Sequence, residues 1–230
     1  FSVICAVCAT PRARQLEAMS LLRVVLPLLL TVLPGVVLAQ EPLPTEELKV
    51  EQSISPDKSI FLAHGNWGGA GSVDILSADD LSYKGNIGTG LLAQVVLSEK
   101  GREAHVVSSY PRRIVSGPAD IVVQRYDVAT LKAGPETIIP DKFALTHPAK
   151  GILELTSDKR FALVQNATPA TSVAVVDLKS RKAVAEAPTP GCWSIIPASE
   201  GRRFSSLCGD GTLLTVSLGA NGRPTGQTYS

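Results

Sequence analysis

Short apolar runs separated by polar turns recur along the chain from residue 55 onward. In the run at residues 213–218, Leu214, Val216 and Leu218 occupy every second position, which is the period of a strand with one buried face. No segment after residue 40 shows a convincing helical period. Comparable runs lie at residues 60–62, 73–76, 94–97, 104–107, 121–126, 161–164 and 173–176. The pattern predicts an all-β protein.

The runs repeat as a unit that begins with a polar turn. Four such turns lead into apolar strands at separations of 43, 59 and 42 residues: Ser55-Pro-Asp-Lys, Ser98-Glu-Lys-Gly, Ser157-Asp-Lys-Arg and Ser199-Glu-Gly-Arg. A second turn follows in each unit: Ser77-Ala-Asp-Asp, Asp127-Val-Ala-Thr, Asp177-Leu-Lys-Ser and Gly219-Ala-Asn-Gly. Periods of about 40 to 50 residues built from short strands are typical of β-propeller blades of the YVTN or WD40-like kind.

The four units therefore predict about four blades. The longer middle interval is assigned to an extra loop between two strands at residues 110–119. A β-sandwich is the alternative, because it also gives short, evenly spaced strands, although it need not repeat the same turn in every unit.

The start of the chain predicts export. Met19 is the only methionine, and residues 19–39 combine Arg23 with an apolar run that closes on Ala39, as in a cleaved signal peptide. A membrane anchor is the alternative, but prolines interrupt the run, which is shorter than the ~20 residues of a spanning helix. Residues 1–18, with a CxxC pair at Cys5 and Cys8, are interpreted as untranslated leader. The mature domain is then residues 40–230, with no membrane association after cleavage.

Two cysteines remain in the predicted mature chain, Cys192 and Cys208. An even count in an exported chain favours a disulfide between them. We expect it to join adjacent strands of the last complete unit, with Cα atoms about 4.4 to 6.8 Å apart, and to contribute on the order of 3 kcal/mol. Two reduced, buried thiols are the alternative. No histidine lies near either cysteine at a ligand-like spacing, so no metal site is expected.

Other candidate chemistry is scarce. With 44% hydrophobic residues and a net charge of +1, the chain can bury a core and lacks the basic footprint of a nucleic-acid-binding protein. The glycine-rich segments at residues 68–71 and 88–90 lack the strand-to-helix context of a phosphate loop and are expected to connect blades. The single histidines His64, His105 and His147 are expected to be structural. The sequence therefore predicts no catalytic residue on this chain.

Three segments carry a resemblance to a known family: LVQNATPATSVAVVDL at residues 163–178, GCWSIIP at 191–197 and LCGDGTLLTVSLG at 207–219. Their motifs resemble those of the heavy subunit of quinoprotein amine dehydrogenases, with the aromatic amine type as the closest. The resemblance runs from Ser55 to Ser230 and is dense from Ser157. It implies a seven-bladed β-propeller, of which this chain corresponds to roughly the N-terminal half, an incomplete ring of about four blades.

The resemblance also implies a division of labour. In this family the tryptophan tryptophylquinone cofactor and the catalytic base lie on a light subunit, so no cofactor is expected on this chain. The heavy subunit acts as a scaffold and shapes the substrate channel of a periplasmic heterotetramer, which oxidises primary amines and passes electrons to azurin or amicyanin. The alternative is a stand-alone periplasmic or surface β-propeller that binds its ligand without an enzymatic partner.

One residue is singled out for substrate contact. The resemblance places Trp67 where the family's heavy subunits carry a phenylalanine that lines the channel, and an indole there would narrow it. An ordinary, partly buried tryptophan at a blade edge is the alternative. Trp193, which follows Cys192, is expected to be a packing residue and not a cofactor precursor.

Overall fold

The computed structural model describes residues 53–114 and 116–230, and these residues form fifteen β-strands and one short 3₁₀ segment, Glu99–Gly101. The predicted leader, signal peptide and Cys5–Cys8 pair lie outside the described residues. The strands are β1 Ser59–His64, β2 Gly71–Ser77, β3 Tyr83–Thr89, β4 Leu91–Leu97, β5 Glu103–Arg113, β6 Ser116–Asp127, β7 Ala133–Ile139, β8 Leu153–Leu155, β9 Phe161–Asn166, β10 Ser172–Asp177, β11 Lys182–Pro188, β12 Cys192–Pro197, β13 Arg203–Cys208, β14 Leu213–Leu218 and β15 Pro224–Tyr229. Within the described residues, no helix is long and apolar enough to cross a membrane.

The strands form four antiparallel sheets, each a meander of consecutive strands. The first sheet contains β1 to β3, the second β4 to β7, the third β8 to β11 and the fourth β12 to β15. The turns that begin at Ser98, Ser157 and Ser199 each join the first and second strands of a four-stranded sheet, and Ser55 leads into β1. The prediction of an all-β propeller with equivalent turns is confirmed. Among the described residues the first sheet has three strands, not the four expected of a blade.

The third sheet shows how the sequence pattern builds the core. All residues of β9 and β10 are buried, because these strands are central and both faces of the sheet are covered. Ala162 and Val164 pack in a cluster with residues of the second sheet, such as Val123. Phe161 and Leu163 pack into another cluster with residues of the fourth sheet. Alternate residues of β9 therefore pack in two different interfaces, one with the second sheet and one with the fourth.

Two details of the predicted connections are wrong. Residues 110–119 do not form a loop: they extend β5 and β6 into a long hairpin in which Tyr110 pairs with Asp120 and Pro111 with Ala119. Proline is tolerated there because the register shifts between Pro111 and Arg113, a place where the ladder is already interrupted. Likewise, residues 68–71 do not connect blades, because they join β1 and β2 within the first sheet.

The glycine-rich segment at residues 88–90 does connect two sheets. Gly90 alone links β3 to β4, and a Cβ at this position would lie 2.6 Å from the Ser109 carbonyl oxygen. The close approach of two backbones therefore requires glycine. The predicted hairpin turn at Gly209-Asp-Gly211 lies between β13 and β14.

Candidate functional site

Trp67 lies in the loop between β1 and β2. The side-chain oxygen of Asn66 accepts a hydrogen bond from the Gly68 amide at 2.8 Å, which shapes the turn around the indole. A Cβ at Gly65 would lie 2.8 Å from Cδ of Pro148, so the loop packs closely on the connection between β7 and β8. The small residues of this loop thereby bring two distant segments together.

A buried glutamine holds that connection in place. Gln94, in the first strand of the second sheet, is only 2% exposed. Its side-chain amide nitrogen donates to the Thr146 carbonyl at 2.9 Å, and its oxygen accepts from the Ala149 amide at 2.8 Å. His147 lies between these two anchored residues. The histidine is therefore fixed by the backbone of its own segment.

Trp67 and His147 contact each other directly. The indole Nε1 donates a hydrogen bond to Nε2 of His147 at 3.0 Å, and the ring centroids are 5.9 Å apart with an interplanar angle of 78°. Because the indole nitrogen can only donate, Nε2 of His147 must carry a lone pair in this arrangement. The bond and the edge-to-face contact together limit the orientations open to the indole.

The site presents an aromatic face to the surroundings. Trp67 remains 55% exposed although its indole nitrogen is hydrogen-bonded to His147. A Trp side chain held in this way can contact the apolar body of a small molecule without demanding a hydrogen bond from it. No local pattern in the sequence indicates His147, which is 80 residues from Trp67. The sequence therefore singled out Trp67 but indicated neither His147 nor Gln94, and the substrate contact of Trp67 stays a prediction.

The second tryptophan lies in a different setting. Trp193, in β12, is the cross-strand partner of Leu207 in β13, and it is 41% exposed. Within the described residues no aromatic contact joins it to Trp67. In the described structure the two tryptophans thus do not form the pair from which a tryptophan-derived quinone would be built.

Cys192 and Cys208 form the predicted disulfide. They lie directly opposite each other in β12 and β13 of the fourth sheet. Their Cα atoms are 3.8 Å apart, so the predicted interval of 4.4 to 6.8 Å was wrong. The backbone amide of Cys192 donates a hydrogen bond to the Thr189 carbonyl, and that of Cys208 donates to the Thr212 carbonyl. The two cysteines are therefore a non-hydrogen-bonded pair, and such pairs have the shorter Cα–Cα distance in an antiparallel sheet.

The other histidines are in separate surroundings. Nε2 of His64 lies 3.0 Å from the Asp74 carboxylate, and His105 is buried near Glu103 in the second sheet. Across the part of the chain that the structure describes, no group of three or more His, Cys, Asp or Glu side chains is arranged to hold a metal ion.

Comparison with known proteins places most of the chain in a family. The family model for the methylamine dehydrogenase heavy chain matches residues 70–229. The heavy chain from Methylobacillus flagellatus is 30% identical over 125 residues, which cover 54% of this chain and 31% of that protein. The heavy chain from Methylophilus methylotrophus is 24% identical over 184 residues, which cover 77% of this chain and 45% of that protein. The chain thus spans less than half the length of either relative.

A solved structure agrees in fold. Dihydro-heme d1 dehydrogenase NirN in complex with DHE superimposes with a TM-score of 0.54 over 82% of this chain and 38% of its own, at 19% identity. This likeness concerns the arrangement of strands alone. The predicted resemblance to quinoprotein amine dehydrogenase heavy subunits is confirmed by the family match, whereas the closer likeness to the aromatic amine type stays a prediction. The chain belongs to the methylamine dehydrogenase heavy chain family.

Proposed function

We propose that this chain belongs to the heavy, non-cofactor-bearing subunit of a periplasmic amine dehydrogenase that oxidises primary amines to aldehydes and ammonia. Family membership over residues 70–229 supports the subunit assignment. The disulfide between Cys192 and Cys208 supports export, because disulfides persist in oxidising compartments such as the periplasm.

The proposal assigns the redox chemistry to a light subunit. Its tryptophan tryptophylquinone would accept the electrons of the amine, and a small copper protein such as azurin or amicyanin would receive them next. The heavy chain contributes a rigid scaffold of packed sheets. Its part in the reaction is to bind the light subunit, to exclude water and to control which amines reach the cofactor.

The observation that carries the site assignment is the bond between Trp67 and His147. An aromatic ring that is exposed and also fixed by a hydrogen bond to a neighbouring side chain is the kind of group that selects substrates by shape. We place this ring in the wall of the amine channel. Its bond to His147 fixes the tilt of the indole and therefore the width of the channel at that point.

The test is reconstitution. The heavy chain should be produced together with a short, cysteine-rich light chain encoded by a neighbouring gene, and the purified complex assayed for amine-dependent reduction of an artificial electron acceptor. The proposal expects a stable complex that releases aldehyde and ammonia. A heavy chain that neither binds such a partner nor supports amine oxidation would favour the stand-alone binding protein instead.

A further inference from the structure

A cavity of about 470 Å³ lies between the second and third sheets. Its walls come from β5, β6 and β7 on one side, and from the turns that precede β9 and β11 on the other. All of its lining residues lie in the part of the chain that the structure describes. In an antiparallel meander, successive turns lie at alternate ends of the sheet. The turns that precede β9 and β11 therefore lie at the end opposite to loops equivalent to that of Trp67. The cavity is therefore separate from the candidate substrate site.

The lining is strongly cationic. A single carboxylate, that of Glu103, lines the cavity together with five cationic side chains: Arg125, Lys159, Arg160, Lys179 and Arg181. Among the described residues, Lys159, Lys179 and Arg181 form no ion pair. Like charges gathered around one space repel each other, and an anion between them would relieve that repulsion.

The two arginines that form ion pairs, Arg125 and Arg160, can also bind such an anion. Arg160 donates from Nε and from one terminal nitrogen to the two oxygens of Asp177, at 2.9 and 2.8 Å. Arg125 donates to Glu103 at 2.9 Å. A guanidinium has five N–H donors, so each arginine keeps donors in excess of those used in its ion pair. Fixing the guanidinium in advance lowers the entropy lost when a ligand binds.

A buried histidine lines the same cavity. His105 is 3% exposed, and its Nδ1 has no hydrogen-bond partner among the described residues. Its Nε2 lies 3.7 Å from the Glu103 carboxylate. Burial lowers the pKa of His105 below its ordinary value of 6.5, so the imidazole is neutral at neutral pH. An unpaired buried nitrogen is costly. Because the Glu103 carboxylate favours the proton on Nε2, Nδ1 is an acceptor, and the hydroxyl of a protonated phosphate group that donates to it would remove the cost.

We infer that this cavity binds a small phosphate-bearing molecule. The three cations without an ion pair exceed what one carboxylate group of a ligand would pair, whereas a phosphate carries up to two charges and several acceptor oxygens. Val123, Pro135 and Leu178 add apolar surface beside the cations, which suits a phosphate attached to a small organic group. The size of the cavity is within the range of about 300 to 1,000 Å³ of ligand pockets.

Calorimetric titration of the heavy chain with inorganic phosphate, at fixed ionic strength, tests the inference. The double variant Lys159→Gln/Arg181→Gln removes two unpaired cations from the cavity and should weaken phosphate binding at least about tenfold. The control is Lys182→Gln/Arg223→Gln, which removes the same charge from positions that are exposed, as Lys159 and Arg181 are, but that do not line the cavity. It should leave the affinity within about twofold, since exposed charges act weakly at a distance.

Two results would overturn the inference. One is the absence of phosphate binding by the unaltered chain at millimolar concentration. The other is equal weakening by both double variants, which would indicate general attraction to a basic protein. Amine oxidation by the reconstituted complex is measured separately with the cavity variant. Because the cavity lies away from Trp67, loss of phosphate binding should leave that activity unchanged, and the two proposals can fail independently.

Discussion

At the scale of single residues, the proposed determinant of substrate choice is Trp67. Replacing it with alanine removes a fixed aromatic wall. In the reconstituted complex, Trp67→Ala should change the ratio of kcat/KM between bulky and small amines about tenfold, the scale of one pocket contact. Tyr83→Ala is the control, because Tyr83 is an aromatic residue of the same sheet that is 60% exposed and begins β3. An unchanged ratio in an intact complex would leave Trp67 as a packing residue.

His147 is a positioning residue in this account, because it acts through Trp67. His147→Leu removes the acceptor of the indole N–H and should shift the same specificity ratio toward that of Trp67→Ala. His147→Gln retains an acceptor and should restore most of the original ratio. A purely structural role would instead lower the melting temperature of both variants alike and leave the ratio of kcat/KM unaltered.

Asp177 links residue chemistry to acid stability. Arg160 donates two hydrogen bonds to the Asp177 carboxylate, and the backbone amides of Lys179 and Ser180 donate further ones. These bonds hold the pKa of Asp177 well below its ordinary value of 3.8. A depressed pKa stabilises the fold above pH 3.8, and this stabilisation is lost as pH falls through the lower, folded-state value. Asp177→Asn should therefore cost about 1 kcal/mol of unfolding free energy at pH 7, since Arg160 is partly exposed.

The pH dependence gives the check on that variant. The difference in unfolding free energy between Asp177→Asn and the unaltered protein should shrink as pH is lowered below about 4 in denaturant titrations. Glu200→Gln, at an exposed carboxylate without an ion pair among the described residues, should have no comparable effect. A constant difference from pH 7 to pH 3 would show that the cost arises from packing and not from charge.

At the scale of elements, the β12–β13 hairpin depends on its disulfide. Cys192 is buried, and the two cysteines are 16 positions apart in the sequence. Closing a loop of this size restricts the unfolded state, so the double variant Cys192→Ala/Cys208→Ala should lose on the order of 3 kcal/mol of unfolding free energy. Labelling of the exported, unreduced protein should find neither thiol free, and a count of two thiols would contradict the assignment.

The sequence predicts elements well where one local signal is sufficient. Each polar turn at Ser98, Ser157 and Ser199 marks its own hairpin, because turn chemistry is read from adjacent residues. The long β5–β6 hairpin was missed because Pro111 and its polar neighbours are typical of a loop, while cross-strand pairing with Ala119 overrides that preference. The contact of Trp67 with His147 could not be foreseen, since it depends on how a separate connection folds over β4.

At the scale of the whole molecule, the described residues form four antiparallel sheets, and the proposed activity requires a partner subunit. Trp67 lies in the loop between β1 and β2, whereas Trp193 lies in β12 of the fourth sheet, so the described residues contain no tryptophan pair for a quinone. The exported chain purified alone should show no quinone absorbance and no amine oxidation, and quinone-specific redox staining of the separated complex should mark only the light subunit. Staining of this polypeptide would place the cofactor on the heavy chain and contradict the assignment of the redox step to the light subunit. Activity that appears only after the light subunit is added would support that assignment.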